Sequence, residues 1–418
     1  MGTWLLPRTD LTPDQLRAVE LPPTEHRVVM GLPGSGKTQV LVHRAVYLRE
    51  YFHVPADGFR IFIFNNVLKD YIRSGLDLLN LPEASVCTFD GWCTDVYRQH
   101  VSRRLPWNAG ARRPDFAHIR EAVLKLVSVP NRGGVHLDFA LVDEGQDLAA
   151  TSFAIVQRVA KHVTVFADHL QQVYNEGADE GAILTTFGLS RRNISLLGAY
   201  RNSPDVAQLA ACFIGESEKR QQYLQQTANN RSERERPLFY SAASAKDEVD
   251  RLAEVVRQRQ MLNQRVGIIV PQNDLVYGLA EGLAERGVTV EVAVASGAKT
   301  RARHLLADFG SMLPKIATYH QAKGLTFDCV LLPRLTDHAF WRFSSEERRR
   351  LLFVGIARAT QWAYLSIPEG KGMAELSPLY EAEANRHLTI QRGSSQGLLP
   401  EDEEAPRLEE MDDAPSVL

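Results

Sequence analysis

Residues 31–38 read GLPGSGKT, a complete match to the pattern G-x-x-x-x-G-K-[ST], and no other stretch limits the fold as strongly. The apolar run RVVM precedes it and the helix-patterned TQVLVHRAVYLREYF follows it. A strand, a glycine-rich turn and a helix in that order let successive backbone N–H groups point at phosphate from a helix N-terminus. In this reading Gly31, Gly34, Ser35 and Gly36 form a cradle, Lys37 brings a cation to the β- and γ-phosphate oxygens, and Thr38 offers a hydroxyl to Mg2+.

Other apolar runs repeat the pattern. RIFIFNN, FALVDEG and VTVFADH are short, β-branched and separated by helical stretches, as in a parallel sheet covered by helices on both faces. After Arg192 a second series follows (SLLGAYR, PLFYSAA, VGIIVPQ, VTVEVAV, KIATYHQ, DCVLLPR, AYLSIPE), interleaved with helical patterns such as AKDEVDRLAEVVRQRQ. The expectation is α/β throughout, with two tandem domains at residues 1–195 and 196–385 and a tail at 386–418. Residues 216–236, rich in Glu, Arg, Gln and Asn, read as a loop or an exposed helix.

FALVDEGQD ends a buried strand on two carboxylates, the usual partner of a phosphate loop. Asp143 is expected to hold Mg2+ through water and Glu144 to polarise an attacking water. The four cysteines (Cys87, Cys93, Cys212, Cys329) have neither disulfide nor zinc spacing and read as reduced thiols. Residues 393–418 carry eight acidic side chains against Arg407 alone, so the net charge of −3 leaves +4 on the body. The tail is expected to be disordered, and the mildly basic body, arginine-rich at 342–350, permits nucleic-acid binding without establishing it. No basic leader and no run of eighteen apolar residues occurs, so a soluble, cytoplasmic protein with no membrane partner is expected.

With these motifs in order, the chain resembles the UvrD/Rep-like superfamily 1 helicases from about residue 11 to 367. That resemblance implies two tandem RecA-like domains, ATP and Mg2+ as cofactors, and roles for particular residues. LTPDQLRAV looks like the Q motif, placing Gln15 at the adenine edge. FADHLQQVY resembles the third motif, with Gln171 linking the γ-phosphate to DNA. LLGAYRNS is similar to the fourth, where Tyr200 stacks beside the base and Arg201 reaches the γ-phosphate. ATYHQAKGLTF resembles the fifth, around Thr318, His320, Lys323 and Gly324, and RRRLLFVGIARA the sixth, making Arg358 a second arginine finger. On the strand side the resemblance implies Asn66 and Thr88 as polar contacts, with Phe64, Phe89, Trp92 and Tyr174 as aromatic candidates for stacking or packing.

Several positions depart from the family pattern. Asp90, Ala167, Thr326 and Ala357 replace its usual His, Gly, Glu and Thr, and NEGA stands where WRGA is usual. The gaps that carry accessory domains in full-size relatives are short, which implies small or absent insertions. The leading expectation is an ATP-driven translocase or helicase on single-stranded DNA, with 3′→5′ polarity implied by the resemblance. Two alternatives stay open: a nucleic-acid-stimulated ATP switch gating a partner such as a nuclease, and a motor acting on RNA.

Overall fold

In a computed structural model, which describes residues 4–32, 34–110, 113–129, 135–168, 180–191, 194–196, 202–227, 235–294 and 304–393, the chain folds as two α/β units of RecA-like type, each on a parallel sheet. The first contains β1 (Arg27–Gly31), β2 (Phe59–Ile63) and β3 (Val86–Thr88). A two-residue-stranded hairpin follows, β4 (Trp107–Asn108) and β5 (Arg113–Pro114), then β6 (Leu137–Val142), β7 (Ala160–Ala167) and β8 (Ile194–Leu196). Leaving out the hairpin, the strand order is β3-β2-β6-β7-β1-β8. The P-loop strand β1 is thus central, between β7 and β8. Its residues are buried throughout, as expected of a strand covered on both faces.

The second sheet is β9 (Leu238–Ser241), β10 (Val266–Val270), β11 (Glu291–Val292), β12 (Leu305–Leu306), β13 (Lys315–Thr318), β14 (Phe327–Leu332), β15 (Ala359–Ile367) and β16 (Thr389–Arg392). Its order is β12-β11-β13-β10-β14-β15-β9-β16. Two expectations are corrected here. SLLGAYR contributes β8 to the edge of the first sheet, because it pairs with β1 rather than opening the second series. The tail cannot begin at residue 386, because β16 pairs in parallel with β9 and completes the second sheet through residue 392. Residues 394–418, where the acidic charges lie, are outside the described residues.

The polar stretch after residue 216 forms the helix Ser217–Thr227, largely exposed but anchored by the buried Tyr223. Between the helix Phe89–His100 and β6, the described residues hold only the hairpin and the helix Phe116–Val127. Most of the separation between the fourth and fifth motifs is the second sheet's own β9 to β12 with their helices, so it leaves no room for a large inserted domain.

A buried arginine ties the helices around β1 together. Arg44, fully buried in the helix Lys37–Phe52, donates at 2.9 Å to the carbonyls of Val19, the last residue of the helix Pro13–Val19, and of Leu21 just beyond it. It also donates to Thr164 Oγ1 at 2.8 Å and lies 3.1 Å from His162 Nε2. Burial, with the nearby Arg27, lowers its pKa to about 9, so it remains charged at neutral pH. Thr164 Oγ1 is 2.9 Å from the same imidazole nitrogen, so with Arg44 as a fixed donor Nε2 must accept and the ring must be neutral.

Burial, followed by the charges of Arg44, His26 and Arg27, pushes His162 down to about 3. An unfolded chain takes up that proton near the ordinary value of about 6.5. The stability His162 contributes is therefore complete above pH 6.5 and is lost as pH falls from there toward 3. Between pH 7.5 and 5 the loss should be about 2 kcal/mol. Denaturation midpoints of wild type and His162→Gln at the two pH values check this, the variant losing correspondingly less.

Candidate active site

The turn after β1 needs two glycines. Gly34 (φ 77°) and Gly36 (φ 83°) occupy the left-handed region, and Gly36 caps the helix Lys37–Phe52. The Ser35 N–H donates to the Leu32 carbonyl at 3.1 Å, closing the loop. Lys37 folds back on this loop: its Nζ donates to the carbonyls of Gly31 at 2.9 Å and Leu32 at 3.0 Å, and reaches Asp168 Oδ2 at 3.3 Å. Thr38 Oγ1 donates to Asp143 Oδ2 at 3.3 Å, joining the loop to the end of β6.

Asp143 and Glu144 are 1% and 4% exposed. Burial first, and then the adjacent Glu144 charge, raises the Asp143 carboxyl, against the opposing pull of Lys37 and Thr38. Burial acts the same way on Glu144, but Lys323, Lys37, Arg358 and the Gln146 amide together outweigh it and hold that carboxyl below its ordinary value. Glu144 sits at φ 50°, a backbone conformation uncommon outside glycine. Gln146 braces it, donating to Glu144 Oε2 at 2.5 Å while its own Oε1 accepts the Asp168 N–H at 2.9 Å. A buried carboxylate whose charged form is disfavoured, with a hydroxyl beside it, is an oxygen donor set short of a cation. Thr38 and Asp143 therefore fit Mg2+.

The second domain closes the other wall. Lys323 reaches across to the first domain and pairs with Asp147; the two side chains are 2% and 0% exposed. The next residue, Gly324, has φ 82°, and a Cβ there would come within 2.6 Å of Leu68. Arg358, 6% exposed, follows the helix Ser345–Ile356 and is held back on it through the Val354 carbonyl at 3.1 Å. Burial depresses its guanidinium, while Glu144, Asp168, Tyr223 and Asp143 act in the opposite sense. Asn202 donates to the carbonyls of Ala357 at 3.1 Å and Ala359 at 2.7 Å, pinning the chain on both sides of Arg358. Lys37, Thr38 and Glu144 thus face Gly324 and Arg358 across one narrow cleft, with about 30 Å³ of room.

Other expected residues lie elsewhere or serve differently. Gln15 is buried, donates to the Ser35 carbonyl at 2.9 Å and caps the Thr12 N–H at 3.0 Å, so its amide supports the phosphate loop from behind. Asn66 begins the helix Asn66–Leu76 and accepts from Lys69 at 3.1 Å, while Thr88 and Thr318 cap helices. Phe64 is half-buried against the first core, and the His320 ring lies 6.1 Å from Phe343 while its carbonyl accepts from Asn65 across the domains. Phe89 and Trp92 are corrected as stacking platforms. They are 2% and 8% exposed and pack on Phe62 at 5.3 Å, so a base could reach them only by opening the core. Gln171, Tyr174, Tyr200 and Arg201 lie outside the described residues.

Sequence reasoning missed Asp168 and Gln146, although both stand beside strand ends that it read. It also missed Tyr223, buried close enough to Asp168 and Arg358 for their charges to act on its hydroxyl. The four cysteines are free, and among the described residues no group of three or more His, Cys, Asp or Glu side chains is placed to hold a metal ion. No described helix is long and apolar enough to cross a membrane.

Residues 11–129 match the family described as the UvrD/REP helicase N-terminal domain, and residues 316–366 match the UvrD-like helicase C-terminal domain. No curated protein matches the chain. Among solved structures, the C-terminal domain of a possible DNA helicase from Lactobacillus plantarum WCFS1 is 17% identical over 46% of this chain and 98% of that one, with a TM-score of 0.34. A likeness that slight does not bear on function.

The Asp147–Lys323 pair should behave as a buried inter-domain clasp. Asp147→Ala and Lys323→Ala should each destabilise the fold, by up to about 3–5 kcal/mol, because each removes the other's buried partner across the domains. The double variant should lose at least about 1 kcal/mol less than the sum. Chemical denaturation of the four proteins measures this, and additive losses would show that the two charges do not support one another.

Proposed function

We propose that this chain, which belongs to the UvrD/Rep-like helicases, binds ATP with Mg2+ in the inter-domain cleft and uses its hydrolysis to move along single-stranded DNA. The observation that carries the proposal is the convergence of Lys37, Thr38, Asp143 and Glu144 from one domain with Gly324 and Arg358 from the other. Phosphoryl transfer spreads negative charge that fixed cations must meet, and a cation on a second domain meets it only when the cleft is suitably closed. Hydrolysis is in this way tied to domain motion.

Each residue then has one task. Lys37 leaves the carbonyls of Gly31 and Leu32 for the phosphate oxygens. Thr38 and Asp143 would hold Mg2+, which when bound screens the phosphate charge. Glu144, kept ionised by Lys323, Lys37 and Arg358, accepts a hydrogen bond from the attacking water. Arg358, with Arg201 as its expected companion, meets the γ-phosphate from the second domain. Asn66, Thr88, Thr318 and His320, at strand ends and helix starts, are the proposed strand contacts, with polarity 3′→5′ by family resemblance.

One observation favours a second reading. The first domain's insertion is no more than a hairpin and one helix among the described residues, which suits an ATP switch that gates a partner such as a nuclease without unwinding. RNA in place of DNA is a further outcome of the same test.

Glu144→Ala should lower ATP turnover by about two to four orders of magnitude, the usual worth of a positioned acid or base, and Lys37→Ala should abolish nucleotide capture. ATPase rates with single-stranded DNA, duplex and RNA at two salt concentrations, beside a strand-displacement assay, separate the readings. Stimulation that falls with salt and is accompanied by directional movement supports the motor. Stimulation without movement supports the switch, and near-normal turnover in both variants refutes the site.

A further inference from the structure

A cavity of about 660 Å³ in the second domain has no part in the site described above. It opens between the helices Ala245–Met261 and Asn273–Ala284 and the loops that follow β14 and β15. Its floor is apolar, made by Val249, Leu275, Leu279 and Ala339. Leu275 and Pro368 are only half-buried, and Gly278 and Gly372 are exposed, so the floor is reached without opening the core. A Cβ at Gly278 would meet nothing within 4 Å. The rim selects no charge: Arg334 pairs with the buried Glu248 at 3.1 Å, Lys371 with Glu369 at 3.1 Å, and Asp337 with Arg348. An occupant of this cavity is therefore held by the apolar floor.

The chain itself supplies that occupant. Its described part ends at Gly393, where β16 leaves the second sheet. The Gly393 N–H donates to the Ser241 carbonyl at 2.9 Å, and a Cβ at Gly393 would lie 3.1 Å from the Ala243 nitrogen, two residues before Ala245 in the cavity wall. The loop on the opposite rim meets the same strand end, because a Cβ at Gly370 would lie 3.9 Å from Ser241 Oγ. Residues 394–418 thus begin beside the cavity. The first large apolar residues among them are Leu398 and Leu399, and the acidic run EDEE follows at 401–404. The five residues from Gly393 to Leu398 span up to about 17 Å when extended, whereas Ala243 and Ala245 are at most about 7 Å apart.

We propose that residues 398–404 dock on the second domain of their own chain, with Leu398 and Leu399 in this cavity and the acidic run at its rim. Apolar side chains gain by leaving water, and the tether makes the encounter intramolecular, so a short segment suffices. On the strand reading above, the docked tail also keeps nucleic acid away. The cavity lies at the carboxyl edge of the second sheet, past the ends of β9, β14 and β15, and the same edge carries Thr318 at the end of β13 and His320 just after it. Ala339, on the cavity floor, accepts from Gln272 at 2.5 Å, and four residues further on the Phe343 ring lies 6.1 Å from that of His320. Carboxylates held at this edge repel strand phosphates, so tail and strand exclude one another.

The test puts benzoylphenylalanine, a photo-reactive apolar side chain, in place of Leu399 in the full chain and maps its cross-links by mass spectrometry. Cross-links within one chain to residues 245–249, 275–279, 336–339 or 368–372 are expected. Leu398→Asp, which changes only the tail, should lower their yield about tenfold, the worth of one buried leucine. Gly278→Phe, which fills the cavity from its open wall, should do the same without lowering the melting temperature. Cross-links elsewhere, cross-links between two chains, or an undiminished yield in either variant overturns the docking. Saturating single-stranded DNA, its binding followed by fluorescence anisotropy in the same samples, should remove the cross-link. Leu398→Asp should tighten DNA binding about threefold to tenfold, because the competing docked state is lost. A cross-link that survives on bound DNA overturns the exclusion. A chain that cross-links in the cavity but binds no nucleic acid fails the strand reading and the exclusion that rests on it, whereas one that binds DNA and forms no cross-link fails the docking alone.

Discussion

Removing a carboxylate from water costs several kcal/mol unless a partner and further hydrogen bonds repay it, and this cleft removes four. Asp143, Glu144, Asp147 and Asp168 are all buried, facing the buried Lys37, Lys323 and Arg358. The first domain supplies the four acids and one of these cations, and the second domain supplies the other two. Neither domain alone balances the charges. The contact between the domains is therefore more than apolar packing, because separating them would strand Asp147 without Lys323 and weaken the field that holds Glu144 ionised. Any group that enters the cleft changes the same balance, which is how a local binding event acquires leverage over the position of a whole domain.

Backbone geometry then decides where those charges point. Gly34 and Gly36 turn the loop after β1, and Gly324 lets the second domain approach Leu68 at a distance no side chain would permit. Glu144 adopts a similar left-handed conformation without glycine's freedom, and Gln146 secures it from both sides by bonding the carboxylate and the Asp168 backbone. A strained residue that is over-determined by its neighbours belongs where position matters more than local stability.

Much of this was legible in the sequence because it depends on local pattern. Short apolar runs located the strands, and the glycine-rich turn with its flanks located the phosphate loop and the paired carboxylates. What escaped depends on contacts distant along the chain. SLLGAYR reads as a strand of either domain, and only pairing with β1 assigns it to the first. Phe89 and Trp92 follow a strand end as base platforms do, yet their rings turn beneath the sheet onto Phe62, which spacing alone cannot tell. Gln15, which the resemblance places at the adenine edge, also bonds the Ser35 carbonyl twenty residues away, a contact that no local pattern announces. Arg44 gave no signal, because an arginine within an apolar helix pattern looks like an exposed position until backbone carbonyls, Thr164 and His162 converge on it.

The lysine of the phosphate loop shows what this arrangement asks of a nucleotide. Lys37 is already satisfied by two carbonyls of its own loop and by Asp168. A phosphate entering the cleft exchanges those contacts for new ones rather than adding to them. The exchange takes the lysine away from Asp168 and two loop carbonyls, and the narrow space must widen between domains joined by Lys323 and Asp147. Part of the binding energy therefore goes into moving groups instead of into affinity. A cleft already shaped for its ligand would bind more tightly and move less. On the proposed reading, capture of the phosphates would be coupled to displacement of the second domain, as a motor or a switch requires.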